Sequence, residues 1–354
     1  MKKGPTVLSI NPGSTSTKFA IYKGTDVILK QTIKHQDREI LNFPTVFSQA
    51  EYRLNNIKKF LTLDLLQQLD AIVGRGGFLH PLSSGTYLVN KKMIDELKNA
   101  KYGEHASNLG AILANLLAED LKIPAFIVDP VVVDELEDVA RLSGINEIER
   151  KSHVHALNIK AVSLKAADIL NKPLNELNFV VAHLGGGISV VAHKAGKLVD
   201  VNNANDEGPF SPERAGGLPS YQLVKLCYSG KYTEQEMLDK LSRKGGLYSY
   251  LGSKDIIEIE KKIGNGDIKS KLVLESMVYQ VAKEIGAMAT VLNGKVDRIV
   301  LTGGIAFSDF ITKMIIEKVN YLAPVLIIPG EEELEALANG ALRVLQGQEQ
   351  PKIY

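Results

Sequence analysis

The feature that most constrains the fold is a plan of strand, small-residue turn and strand that occurs twice. Residues 7–22 read VLSINPGSTSTKFAIY, with one apolar run before and another after a turn of Gly13, Ser14, Thr15, Ser16 and Thr17. Runs arranged in this way pair as a hairpin. Gly13 lets the backbone approach a ligand, the hydroxyls can hydrogen-bond phosphate oxygens, and Lys18 adds positive charge. Taken alone, the stretch is equally well an ordinary polar turn. Residues 179–196, FVVAHLGGGISVVAHKAG, repeat the plan around Gly185, Gly186 and Gly187, and Gly24 and Gly196 close the next turns at matching places. The recurrence predicts a duplicated α/β fold with two phosphate-binding turns facing one cleft. A third loop, VLTGGIA at 300–306, follows an apolar strand and precedes a helix, where α/β sheets place nucleotides.

Between these loops the chain offers further candidates. Residues 54–66 predict a helix leading to a short strand at 71–73. Arg75 follows among Gly74, Gly76 and Gly77, either aimed into a cleft from the strand's end or left as a solvated turn arginine. Residues 91–98 and 105–120 predict helices, the second with Leu109, Leu113 and Leu116 or Leu117 on one face. Residues 125–128 predict a buried strand ended by Asp129, whose carboxylate could meet a metal ion or only fix the turn.

Ser152 is placed to cap a helix carrying Leu157, Ala161 and Leu164, with His153 and His155 in its first turn. Residues two apart do not share a helix face, so the two histidines make a poor metal pair. A neutral imidazole there can still donate a hydrogen bond to a phosphoryl group, although His153 reads more simply as a surface residue. Leu274, Val278, Val281, Ile285, Met288 and Leu292 form a stripe along a helix ending at Gly294, which is a dimer seam or, more simply, a face packed on a sheet. A last helix spans 332–345.

Composition narrows the function classes. With 354 residues, 45% hydrophobic and 23% charged, the chain has the size for two globular domains. A net charge of +1 supplies no general field for nucleic acid or an anionic membrane, so anion binding must be local. The single cysteine, Cys227, excludes an intramolecular disulfide and a cysteine zinc cluster, and its apolar context suggests an inert thiol. No signal-peptide core or membrane-length apolar run is present, so the expected setting is cytoplasmic.

The first hairpin, the HLGGGIS turn at 183–189 and the TGGI loop at 302–305 together resemble the phosphate and adenosine loops of the superfamily of acetate and sugar kinases, Hsp70 chaperones and actin. The segment EGPFSPER at 207–214 is similar to the short-chain carboxylate kinases of the acetokinase family, on their butyrate and branched-chain acid branch. The resemblance implies two duplicated actin-like, ribonuclease H-like domains with a nucleotide cleft between them. The expected domains are 1–150, to which the last helix returns from 332–354, and 151–331. It also implies a homo-oligomer, dimer or higher.

The implied activity is reversible, ATP-dependent phosphorylation of a short fatty acid. ATP or ADP would be held at Gly13, Ser14, Thr15, Ser16, Lys18, His183, Gly185, Gly186, Gly187, Gly303, Gly304 and Ile305. Arg75 and Arg214 match the arginines that hold the acceptor carboxylate and the transferring phosphoryl, a task that suits a planar guanidinium. Asn11 and Asp129 match the magnesium environment, His155 the histidine at the phosphoryl, and His105 a position on the ligand side. The alternatives are a kinase or phosphatase of another small acceptor, or a non-catalytic nucleotide-driven clamp, which would not need the two arginines.

The sequence departs from the acetate kinases at several of these places. Residues 155–159 read HALNI where those enzymes read HGTSH, and Phe307 stands where they carry a magnesium-associated glutamate. Gly76-Gly77 replaces Val-Val after the arginine, and Val154 replaces a Phe. The smaller residues are expected to leave room for extra methylenes or a branch, favouring butyrate and isobutyrate over acetate, unless the backbone moves inward to fill the space.

Overall fold

The computed structural model describes residues 4–354. Among them the strands in chain order are β1 (Thr6–Pro12), β2 (Ser16–Lys23), β3 (Asp26–Lys34), β4 (Ala71–Arg75), β5 (Thr86–Leu88), β6 (Ala125–Val128), β7 (Asn178–Leu184), β8 (Ile188–Lys194), β9 (Lys197–Val201), β10 (Arg298–Thr302), β11 (Val325–Ile327) and β12 (Lys352–Ile353). They form one sheet ordered β12-β5-β6-β4-β1-β2-β3 and another ordered β11-β10-β7-β8-β9. In the first, β3, β2 and β1 run antiparallel, and β4 and then β6 continue in parallel with β1. In the second, β9, β8 and β7 repeat the antiparallel part, and β10 and β11 the parallel part. The two hairpins read from the sequence are thus the first two strands of a duplicated five-strand pattern. Gly24 and Gly196 turn them with φ of 57° and 89°, values that favour glycine.

Two compact units result, one of Met1–Val133 with Glu332–Tyr354 and the other of Asp134–Glu331. The division falls at Val133/Asp134 instead of 150/151, and the segment it reassigns shows why. Glu135 accepts from Leu198 N–H and pairs with Lys160, Glu137 N–H donates to Val199, and Arg150 pairs with both Asp200 and Glu207. These bonds to β9 and its surroundings hold the segment in the C-terminal unit.

Each unit has its own core. In the first, Ile10, Phe19, Ile21 and Ile72 pack with Ile57, Ile112 and Leu113. In the second, the stripe from Leu274 to Leu292 lies on helix Ile268–Val291, which packs on β7, β8 and helix Asp309–Val319, and its residues are buried. The stripe is therefore a sheet-packing face. Other expectations shift. The helix expected over 54–66 is two, Ala50–Lys58 and Leu63–Gln67, because the Thr62 hydroxyl caps a new start by accepting from Leu65 N–H. Helix Ala156–Leu170 begins after both histidines with His155 at its N-cap, so Ser152 does not cap it. Cys227 is exposed, not shielded in apolar surroundings, on a helix, Ser220–Cys227, with no buried residue.

Inside β8, His193 is fully buried with neither ring nitrogen hydrogen-bonded. Burial, and then the Lys160 charge, push its pKa down to about 3 against the opposing pull of Glu135. The folded residue stays neutral where the unfolded one takes up a proton, so its contribution to stability is intact above pH 6.5 and is lost as pH falls toward 3. Going from neutral pH to pH 5 should cost about 2 kcal/mol through this group. His193→Phe is expected to flatten that limb of the stability-against-pH curve measured by urea unfolding, and an unchanged limb would contradict the assignment.

Candidate active site

In the N-terminal unit the site begins with how tightly helix Asn108–Leu121 approaches β4. A Cβ on Gly74 would collide with the Gly110 carbonyl, and one on Gly110 with the Arg75 carbonyl, so strand and helix meet backbone to backbone. That contact fixes Arg75 at the strand's end. Its Nη1 pairs with Glu333 Oε1, and Glu333 Oε2 accepts from Asn11 Nδ2. Glu333 stands in the first turn of helix Glu333–Leu345, seated close against β6 because Gly340 has no side chain to strike Val128. A guanidinium, a carboxylate and a carboxamide thus converge from β4, the last helix and β1. The Glu333 charge holds the guanidinium in place, while the amide and carboxylate oxygens are hard donors of the kind magnesium takes.

The turn at 13–17 is built on a side chain that the sequence reading missed. Arg53 is fully buried. Its Nη1 donates to the carbonyls of Gly13 (2.8 Å) and Ser16 (3.1 Å) and to the Thr17 hydroxyl (3.0 Å), and its Nη2 donates to the Ser14 carbonyl (3.2 Å). Gln49 Oε1 takes the remaining Nε and Nη2 bonds, and burial draws the guanidinium pKa down to about 10, so it remains charged at neutral pH. With the turn's carbonyls bound from below, its shape is set without any ligand. Ser14 and Thr15 remain exposed, as does Lys18 on β2. On the same unit, His105 Nδ1 accepts from Ser107 N–H (3.2 Å), and desolvation together with the Arg75 charge lowers its pKa.

Two residues named for this unit make close contacts with the fold itself. Asp129 Oδ1 accepts from Gly85 N–H at 2.7 Å, and Asp129 N–H donates to the Gly85 carbonyl, so this residue pins the turn before β5. The carboxylate that meets Asn11 is Glu333. Gly77 leaves no space for an acyl tail, because a Cβ there would lie 2.5 Å from Asn108 Cα and 2.8 Å from its nitrogen. The backbone of the neighbouring helix has filled the volume.

In the C-terminal unit, residues 185–187 join β7 to β8. His183, 1% exposed, stacks on His155 with ring centroids 3.9 Å apart. Asn158 Nδ2 donates to the Gly330 carbonyl, which turns Oδ1 toward His183 Nδ1 at 2.9 Å and places the ring proton on Nδ1. His155 Nδ1 lies 2.9 Å from the Ser189 hydroxyl. Arg214 covers the bare face of Gly187, where a Cβ would come 2.5 Å from Nη1, and that nitrogen donates to the Ala204 carbonyl. The Ser211 hydroxyl of the same segment donates to the Gly186 carbonyl at 2.5 Å. Burial lowers the Arg214 pKa, opposed by Glu213 and Asp206. Gly303, at φ 87°, lies against the Leu184 carbonyl, bringing the third loop onto the second.

Beside these loops lies a cavity of about 780 Å³ lined by Gly185, Gly186, Gly304, Ile305, Ile257 and Phe307, among others. Its volume is in the range of small-molecule sites. Several of its polar side chains are already engaged: Lys254 with Glu213 (2.5 Å), Glu260 with the Ser308 hydroxyl (2.5 Å), and Asp255 as the cap of helix Ile256–Gly264. Val154 is buried, 2% exposed.

Known proteins resemble this chain in sequence and in fold. Residues 143–327 match the sequence profile of the acetokinase family. The chain is 52% identical over 351 residues to a probable butyrate kinase of Listeria monocytogenes serotype 4b, covering 98% of this chain and 99% of the relative. The chain belongs to the acetokinase family. Butyrate kinase 2 of Clostridium acetobutylicum is equally similar, at 52% over the same coverage. Among solved structures, acetate kinase from Porphyromonas gingivalis superposes with a TM-score of 0.77 at 19% identity over 96% of this chain and 99% of that one. A propionate kinase from Francisella tularensis gives 0.71 at 22% identity over 94% and 98%. At these identities the structural likeness shows the actin-like fold of the acetokinase family and no more.

Within the acetokinase fold, Phe307 lines the cavity and stands against Gly330. The acidic run 331–333 after Pro329-Gly330 is the only signal near Glu333, and a weak one, since carboxylates are favoured in the first turn of any helix. Nothing in the sequence singles out Arg53, which lies one residue before the helix expected over 54–66.

Proposed function

We propose that the chain is a carboxylate kinase transferring the γ-phosphoryl of ATP to a short fatty acid of the butyrate or isobutyrate kind, and able to run in reverse. The observation that carries the reading is the cluster of Asn11, Glu333 and Arg75. A nucleotide-driven clamp has no use for a guanidinium held at a strand end, whereas an anionic acceptor needs one. The choice of acid rests on the butyrate kinases to which the chain is 52% identical, not on the volume at Gly77.

In the forward step a carboxylate oxygen attacks the γ-phosphorus, the bond to the β–γ bridging oxygen breaks, and ADP leaves with that electron pair. Arg75 and Arg214 hold the acceptor carboxylate and the charge spreading on the transferring oxygens. His155 donates a hydrogen bond to the phosphoryl group, and the turns at 13–17 and 185–187 hold phosphates. Magnesium, when bound, would neutralise phosphate charge, and Asn11 and Glu333 are the residues fitted to hold it.

The adenine moiety occupies the cavity by Ile257, Ile305 and Phe307. Phe307→Ala is expected to weaken ATP binding by about 1 to 3 kcal/mol, the range for loss of a base-stacking ring, with little effect on the affinity for acid. Calorimetric titration with each ligand reads this, and unchanged ATP affinity would place the base elsewhere.

A homo-oligomer in the cytoplasm completes the reading. Exposed Tyr221, Val224 and Tyr228 on and after helix Ser220–Cys227 support it, and a monomer mass by light scattering would refute it. The activity itself is tested in reverse: butyryl phosphate and ADP should yield ATP in a luciferase-coupled assay, and no ATP above an enzyme-free control would reject it.

A further inference from the structure

The inference rests on the nucleotide reading above and concerns Ser211, a residue with no role in it. Ser211 is 1% exposed, and the chemistry of its two partners settles which way its hydroxyl proton points. A carbonyl only accepts, so the hydroxyl donates to the Gly186 carbonyl at 2.5 Å; an N–H only donates, so the same oxygen accepts from Arg214 N–H at 3.1 Å. One side chain thus ties the turn at 185–187 to the segment that carries Arg214. That segment is anchored independently through its backbone. Ser211 N–H donates to the Arg214 carbonyl, Leu247 N–H to the Ser211 carbonyl and Gly245 N–H to the Glu213 carbonyl. The hydroxyl is therefore a strut on a fixed base, and what it sets is the turn.

Within the turn the strut acts on the peptide between Gly186 and Gly187. A peptide unit is planar and trans, so a carbonyl drawn toward Ser211 sends the Gly187 N–H the opposite way. Two adjoining glycines leave such a peptide little steric resistance to turning over, so its orientation has to come from a bond. Gly185 N–H is satisfied by the Gly187 carbonyl at 3.2 Å, whereas Gly187 N–H donates to nothing among the described residues, although Gly187 is buried. Buried backbone donors are almost always paired, so this one is left for a ligand.

We propose that Ser211 is a positioning residue for nucleotide phosphate: its hydroxyl holds the Gly186–Gly187 peptide in the orientation that offers the Gly187 N–H to a phosphate oxygen. Without the hydroxyl the peptide is free to present its carbonyl instead, which repels that oxygen.

ADP with magnesium, and separately adenosine, are titrated calorimetrically into wild type, Ser211→Ala and Ser211→Thr. ADP should bind about tenfold more weakly to Ser211→Ala, the scale of one hydrogen bond to a charged group, while adenosine binds all three proteins alike. Ser211→Thr keeps the hydroxyl and should restore ADP affinity. Wild type supplies a readout that needs no variant to fold: with isotope-labelled glycine, the Gly187 amide proton should shift in the NMR spectrum on addition of ADP and not of adenosine. Unchanged ADP affinity in Ser211→Ala overturns the proposal, as does an equal loss for ADP and adenosine, which would mean that the side chain merely supports the pocket. A Ser211→Thr variant no better than Ser211→Ala, or a Gly187 amide that ignores ADP, overturns it too. Failure of wild type to bind ADP would instead bring down the kinase reading, and this proposal with it.

Discussion

Arg75→Ala is expected to lower kcat/KM by about 3 to 5 kcal/mol, the cost of losing one positioned charge at a transferring phosphoryl group, while the fold survives. The fold should survive because β4 is held by backbone contacts between Gly74, Arg75 and Gly110, and not by the guanidinium. Arg75→Lys should not restore activity, since an ammonium cannot reach two oxygens in one plane. Glu333→Gln separates the roles within the cluster. It should raise the magnesium concentration needed for half-maximal rate, whereas Arg75→Ala should leave that requirement close to wild type. Near-normal turnover in well-folded Arg75→Ala would remove the mechanism.

The second large effect is on stability. Gly77→Val is expected to destabilise the N-terminal unit by at least about 3 kcal/mol, beyond ordinary overpacking, because its side chain would press on the Asn108 backbone as well as on Asn108 Oδ1, which is itself held by Phe78 N–H. The sequence comparison with acetate kinases suggested a different outcome, a filled acyl pocket and a narrower preference for butyrate. Urea unfolding separates the two: a stable Gly77→Val variant with altered acid preference would restore the pocket interpretation.

The duplicated hairpins were legible because glycine-rich turns between apolar runs obey local rules, and the strand order around β1 and around β7 follows from pairing each hairpin with the next parallel strand. Arg75 was legible only as an arginine at a strand's end, which left a cleft and a solvated turn equally open; its role came from the resemblance. What the sequence hid were partners distant along the chain. Glu333 meets Asn11 and Arg75 only because the last helix packs on the first sheet, and Arg53 supports the 13–17 turn from a helix some forty residues on. Gly77 was misleading because a small residue has two physical meanings, room for a ligand or room for a backbone, and only coordinates tell them apart. Asp129 shows the same ambiguity: its Oδ1 holds the turn at Gly85, and a carboxylate that fixes a turn looks in sequence like one that meets a metal.

The central claim is that this chain joins a phosphoryl group to a carboxylate, and trapping the product tests it most directly. Purified protein is incubated with ATP, magnesium, hydroxylamine and each of acetate, butyrate and isobutyrate, and the acyl hydroxamate is measured. The account predicts hydroxamate that requires both ATP and acid, forms faster with butyrate or isobutyrate than with acetate, and is largely lost in Arg75→Ala. Release of ADP and phosphate with no hydroxamate from any acid would contradict it.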